Sequence, residues 1–471
     1  MTRRTIARGA SVAACVLLVS ALAPVARGAI PPRHGGVLTL PAPVPVLELD
    51  PTRVKSALEA GLVEAVFDGL YEIDPDGRPR PVLAAGPAER EGNVARIVLR
   101  EGVRHHGGAR PLSARQVVRS LMRAAASPET RWLFGALELE NGHPMIRETG
   151  ERTLELTLAR PRGRIETLLA ATSLRIVVGG NLRRRPLGTG AFRAQLDGRG
   201  GADLTIFRFA VDSAPWMNRI RFLPPRARDD ELRAFELGEL DGSWQGRSLY
   251  GREPTRALST TEVGAVTPWL MVPNRARALR DDGEWVAVAR AIDRRRLERV
   301  GIAPRASLLE GLPEPHLPSA SPRAGGQLVM PVHADRPVEV RLAEAVAGML
   351  DERGIHLAVE RLSEARYDAL IARGQWDLRL SAVRPPLPGR SAMVAAALAA
   401  AGQLDRARAL AGVLGESDQA SDEARTMSCV VLGYERIVLH YDANVVGLEL
   451  DLRGRLSLAD ASLRRTVEPF R

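Results

Sequence analysis

Leu99-Arg100-Glu101-Gly102-Val103-Arg104-His105-His106-Gly107-Gly108, continued by Pro111-Leu112-Ser113-Ala114 and Val117, is the stretch on which the fold turns. Residues 95–99 lead into it as a strand, and Gly107-Gly108 marks a turn. Ser113 is placed to cap a helix whose apolar residues are Val117, Val118, Leu121 and Met122. On a strand, His105 and His106 would point to opposite faces, so they cannot grip one ion together. Working outward, Leu154, Leu156 and Leu158 alternate with polar residues, the period of a half-buried strand. Upstream, Leu58, Leu62, Val66 and Leu70 recur every four residues on a predicted helix face. Asp50-Pro51-Thr52 offers that helix a cap and a first-turn proline, and Asp74-Pro75-Asp76-Gly77 is a turn.

Further elements follow the same logic. Strands are predicted at 37–40, 203–209, 269–272, 327–332, 356–360, 376–380 and 438–450. Helices are predicted at 229–237, 284–300, 338–353, 364–373 and, alanine-rich, at 393–401. The strand-helix-strand-helix-strand order from 327 to 380 is that of a sheet covered on both faces, and the fold class is α/β.

The first residues read as a secretory signal peptide, 1–28: Arg3, Arg4 and Arg8, an apolar run, then Ala26-Arg27-Gly28. Val12-Ala13-Ala14-Cys15 is similar to a lipobox, which would leave Cys15 lipid-anchored, but the apolar run continues past it. Beyond this segment no run approaches the ~20 apolar residues of a spanning helix. Cys429 is then the remaining cysteine, in an apolar stretch, and reads as a buried thiol. Loss of the segment would take the formal charge from +10 to +6. Lys55 is the single lysine. Arg183-Arg184-Arg185 and Arg294-Arg295-Arg296 could meet phosphates, but acidic residues are interspersed and aromatics make up 4%. Stacking platforms for nucleic acid are therefore not expected.

Several segments together resemble the extracellular solute-binding proteins of the oligopeptide/dipeptide/nickel-binding family. The opening stretch is similar to that family's LRDGVKFHDGTPLTAEDV signature. Phe67-Asp68-Gly69-Leu70-Tyr71 with the 74–77 turn, Pro186 to Phe192, Leu237-Gly238-Glu239-Leu240-Asp241, Trp269-Leu270 with Asn274, Ala291-Ile292-Asp293-Arg294 and Gly374-Gln375-Trp376-Asp377-Leu378 match its later motifs in order. Gly188-Thr189-Gly190 is a tight backbone passage, not a phosphate loop, because no Gly-Lys-Ser/Thr follows. Asp293 is expected to fix a helix end or pair with an arginine.

The resemblance implies a two-lobed periplasmic-binding-protein type II fold with an extra small α+β domain in the N-terminal half. Lobe I would comprise 29–49, 172–263 and 437–471, with the extra domain at 50–171 and lobe II at 264–436. The crossings near Val263 and Arg436 would form the hinge. Ligand-binding residues are expected at Pro41, Ala42, Trp269, Ser381, Arg384, His440 and Tyr441. The implied role is a periplasmic receptor that delivers a peptide or peptide-like solute to an ABC permease in the inner membrane by cleft closure, as a monomer. No cofactor, metal or catalytic residue is expected: Gly-x-Ser-x-Gly and metal-ligand spacings are absent from the sequence.

One loop departs from the family. Where peptide-binding members carry a tryptophan and an amine-anchoring aspartate, this chain reads Val383-Arg384-Pro385-Pro386. The alignment offers no replacement anion. A charge reversal at the anchor points to a ligand with an anionic or neutral polar group held by Arg384. The stretch 390–436 is also shorter than usual, with an alanine run where aromatics would line a pocket. A degenerate envelope interaction protein on the same scaffold is the alternative.

Overall fold

The computed structural model describes residues 34–54, 56–74, 76–108, 110–160, 164–211, 215–252, 254, 256–306, 312–320, 327–412, 417–451 and 454–464. The expected signal peptide, with Cys15, lies outside them. Among the described residues no helix is long and apolar enough to cross a membrane.

Among the described residues three large apolar cores, with a small fourth cluster around Phe235, organise the fold. The first lies under a four-stranded sheet in the order Val37–Pro41, Arg219–Leu223, Ala202–Ile206, Phe192–Leu196. The first two strands run parallel and the rest antiparallel. Strict alternation puts Phe192, Ala194 and Leu196 inward and Arg193 and Gln195 outward. The helix Ala57–Val66 packs Leu58, Leu62, Val63 and Val66 into this core, and Ile437, Leu439 and Tyr441 join it from the C-terminal part. That helix starts later than predicted. Asp50 caps only a short 3-10 turn, Pro51–Arg53, and the α-helix begins after Ser56, whose side chain accepts the Glu59 N–H.

The second core holds the opening stretch. A four-stranded antiparallel sheet (Glu89–Glu91, Val94–Val98, Thr153–Thr157, Ile146–Glu148) is covered by the helix Ala114–Ala126. Ser113 and Gln116 close a reciprocal capping box at its start. This core runs without a break into the second half of the chain. Trp132, Leu133 and Phe134 share it with Ala397 and Leu398 of the helix Arg390–Ala400 and with Ala407 and Leu410 of the helix Leu404–Ala411. The approach is close: a Cβ at Gly135 would lie 2.4 Å from the Arg408 carbonyl oxygen.

The third core surrounds two long antiparallel strands, Leu258–Pro273 and Val430–Asp442. Leu378–Ala382 flanks the first and Gly242–Ser243 the second. Val263 pairs with Ile437, so the two expected crossing segments are neighbours, and the register shifts between Val263 and Thr267. Beside them Leu328–His333 and Leu357–Leu362 form a parallel pair joined by the helix Pro337–Asp351.

Several boundaries move. The predicted helix 284–300 is two pieces, Asp282–Ala291 and a 3-10 helix Arg294–Val300. Between them, Ile292 and Asp293 are extended, and the Asp293 side chain accepts the Arg295 N–H. Asp293 thus fixes a helix start. The predicted strand 203–209 stops at Ile206, and the late strand lies at 430–442 rather than 438–450.

The opening stretch is structural. His106 is buried, with Nε2 3.0 Å from the Gly190 carbonyl oxygen and Nδ1 accepting the Gly188 N–H at 3.2 Å. This fixes a neutral tautomer, and burial, aided by Arg193, pushes its pKa down to about 4. A Cβ at Gly188 would sit 2.1 Å from the Val66 carbonyl oxygen, so the 188–190 passage is glycine for close approach.

Candidate ligand cleft

A cavity of about 1030 Å³ lies between the parts of the chain just described. One wall comes from Pro43, Val44, residues 51–54 and 128–133. The other comes from residues 336–339, 379–386 and 435–438. Ten arginines line it against five carboxylates, so its field favours an anion.

The strand Leu378–Ala382 supplies the central row. Leu378 and Leu380 are buried in the third core, which leaves Arg379 and Ser381 on the cavity side. Arg384 follows as the strand ends. It is half-buried and lines the cavity, and its nearest carboxylate oxygen is Glu435 Oε2 at 3.6 Å. Among the described residues its guanidinium makes no hydrogen bond. Burial depresses its pKa below the ordinary arginine value, and Glu435 works against that shift. Glu435 also accepts a hydrogen bond from Trp269 Nε1 at 3.1 Å. A carboxylate absent from the loop sequence thus reaches Arg384 from a different strand, that of Glu435.

Arg379 is held differently. Its Nη2 donates to the Ala400 carbonyl oxygen, and its guanidinium lies 5.2 Å from the Trp376 ring. Its Nε is sealed from solvent with no partner among the described residues. Burial lowers its pKa.

Nearby, His333 Nδ1 lies 2.9 Å from Glu339 Oε2, and its ring stacks on Tyr367 at 3.8 Å. Burial, with Glu339, pushes the Tyr367 hydroxyl up to about 12. Across the cavity Arg53 Nη2 donates to Asp368 at 2.9 Å, with Glu129 and Glu364 at 3.5 and 3.6 Å.

The residues expected from sequence divide. Trp269, Ser381 and Arg384 line the cavity. Pro41 and Ala42 do not: Ala42 is 1% exposed and bonded to Leu223, and the Pro41 carbonyl accepts Trp244 Nε1, so the chain reaches the cavity two residues later, at Pro43 and Val44. His440 and Tyr441 are also off it. His440 Nδ1 is 2.9 Å from Thr260 Oγ1, with its pKa lowered by burial and by Arg247, and Tyr441 faces the first core. The strand touches the cavity only at 435–438. Sequence reasoning missed Arg53, Asp368, Arg379 and Glu435. Strand alternation could have found Arg379, but no local signal marks the other three. The scarcity of aromatics does not extend to the cleft, because Trp132, Trp244 and Trp269, three of the six tryptophans, line it beside Tyr367.

Among the described residues no group of three His, Cys, Asp or Glu could hold a metal ion. Cys429 is buried, and burial pushes its thiol up to about 12.

No protein-family model matches the chain. A 130-residue stretch is 29% identical to the periplasmic oligopeptide-binding protein OppA of Escherichia coli (strain K12), covering 25% of this chain and 24% of that protein. The match thus spans about a quarter of its curated relative. Among solved structures, the dipeptide-binding protein of Pseudoalteromonas sp. SM9913 in complex with Met-Leu superposes with TM-score 0.72 at 14% identity, over 91% of this chain and 100% of that one. The binding protein AgaA of A. tumefaciens R10 in complex with agropinic acid gives 0.69 at 15%, over 91% and 99%. The resemblance read from the sequence holds, and the chain has the type II periplasmic-binding-protein fold of the oligopeptide- and dipeptide-binding proteins.

Proposed function

We propose that this chain is a solute-binding receptor whose cavity holds a small solute through an anionic group on Arg384. The observation that carries this reading is the half-buried Arg384 guanidinium, which lines a cavity and makes no hydrogen bond among the described residues. Its donors face the cavity, and a carboxylate or phosphate would engage them bidentately. Closure of the two walls would bury the solute, with bending at the paired segments around Val263 and Ile437. The partner would be an ABC permease, the setting the periplasm, and the unit a monomer. The relative with agropinic acid shows that this fold accommodates an acidic small molecule. The degenerate-scaffold alternative drew on missing aromatics, and the three tryptophans on the wall argue against it.

The test is a thermal-shift screen of carboxylates, phosphorylated small molecules and zwitterionic peptides on the exported protein, repeated with Arg384→Ala. A bound solute at about 100 times its Kd adds about 2.7 kcal/mol. Shifts with anions that vanish in Arg384→Ala support the reading. Tight binding of zwitterionic peptides, unchanged in Arg384→Ala, overturns it.

A further inference from the structure

We propose that the solute carries two anionic groups, and that the second is held by Arg379, five residues before Arg384 on the same wall. This rests on the reading of the cavity as a solute site centred on Arg384. Three polar side chains follow one another along the cavity face at 379, 381 and 384. None has its hydrogen-bonding capacity met from within. Among the described residues Arg384 makes no hydrogen bond, the Ser381 hydroxyl makes none, and Arg379 makes one, through Nη2 to Ala400. The Arg379 Nε is sealed from the cavity, so an arriving anion would meet Nη1, which makes no hydrogen bond among the described residues on a residue that lines the cavity. Donors that face a cavity in this way are open to a ligand acceptor.

The charge environment points the same way. Neither guanidinium has a carboxylate within hydrogen-bond distance among the described residues. Glu339, a deeply buried carboxylate on this wall, is committed to the His333 ring and backbone N–H. Burial lowers both arginines, as expected for cations short of counter-charge. Each cation can take an anionic group of its own. At ~3.3 Å per residue the five steps from Arg379 to Arg384 span at most about 17 Å of backbone. The ligand class is therefore an extended dianion such as a linear dicarboxylate, lying along the strand with Ser381 beside its middle.

The experiment is calorimetric titration of the whole exported chain with N-acetylglycine and with linear dicarboxylates from succinate to sebacate. Wild type, Arg379→Gln and Arg384→Gln are compared, with thermal unfolding of each free protein as a folding check. The expected result is a length optimum at which the dicarboxylate binds about tenfold or more tighter than the monoanion. Arg379→Gln abolishes that margin, whereas Arg384→Gln weakens both probes. A margin that survives in a folded Arg379→Gln, or no margin at any length while N-acetylglycine still binds, overturns the two-anion inference and leaves the Arg384 reading standing. Wild type that binds neither probe class overturns both. If Arg379→Gln fails the folding check, Arg379→Lys, which keeps the charge but not the planar fork, must narrow the margin.

Discussion

Arg53 and Asp368, 315 positions apart in sequence, meet across the cavity, with Arg53 Nη2 donating to the carboxylate at 2.9 Å. Glu129 and Glu364 lie within 4 Å of the same guanidinium. This pair joins the two walls directly. It is partly exposed, at 29% and 49% of the side-chain surface, so its contribution is that of a surface ion pair, ~0.2–1 kcal/mol. Under the receptor reading it favours the closed form before any solute arrives. Asp368→Asn is expected to raise the open-to-closed ratio by up to about fivefold, and high salt to do the same in wild type. Solution scattering or a spin-label pair across the cavity reads this. Identical profiles for wild type, variant and high salt would remove the pair from any role in closure.

What the sequence made legible follows from which interactions are local. Ser113 with Gln116 is a cap written within four residues, and the helix it starts was found. Leu378-Arg379-Leu380-Ser381 alternates, so the wall of the cavity could be read from period alone. The break at Ile292-Asp293 was missed because an apolar pattern that continues for two more turns outweighs one aspartate, whose capping role shows only in its backbone angles. Glu435 was missed for another reason. It lies 51 positions from Arg384, and the pairing of Leu258–Pro273 with both Leu378–Ala382, which Arg384 follows, and the strand of Glu435 brings them together. His440 and Tyr441 were placed in the cleft by family position, whereas the alternation Ile437, Leu439, Tyr441 turns that end of the strand to the first core.

His106 makes stability depend on acidity. Burial holds its folded pKa at about 4, below the ordinary 6.5, so the unfolded chain binds the proton more readily. Its contribution is fully present above pH 6.5 and is lost as pH falls from 6.5 towards 4, by up to about 3 kcal/mol. His106→Gln is expected to be less stable at pH 7 but to lose less between pH 7 and pH 4.5. Urea unfolding midpoints at the two pH values measure this, and equal losses in wild type and variant would assign the acid sensitivity to other groups.

Gly188 faces backbone rather than solvent. A Cβ there would lie 2.1 Å from the Val66 carbonyl oxygen and 2.6 Å from the Phe67 ring. Gly188→Ala must push the 188–190 passage off the end of the helix Ala57–Val66, at a cost of about 1–3 kcal/mol. Chemical denaturation should show that loss. Gly77, where a Cβ would meet nothing within 4 Å, is the control for a glycine kept for its positive φ instead.

Glu435 tests what Arg384 is for. The carboxylate at 3.6 Å partly neutralises the guanidinium and is fixed in place by Trp269 Nε1. A solute anion arriving at Arg384 must share the cation with it. Glu435→Gln keeps an oxygen to accept from Trp269 but removes the competing charge. The free variant should unfold at a lower temperature, because Arg384 then lacks its nearest counter-charge in a desolvated site. Anionic solutes should bind about threefold to tenfold tighter and restore the lost stability on binding. The alternative role for Glu435, direct contact with a solute ammonium group, gives the opposite pattern: zwitterions weaken and simple carboxylates gain nothing. Parallel titration of the variant with a dicarboxylate and a dipeptide separates the two: the dicarboxylate gains only if Glu435 acts as Arg384's counter-charge in the empty site, and the dipeptide weakens only if Glu435 contacts an ammonium group.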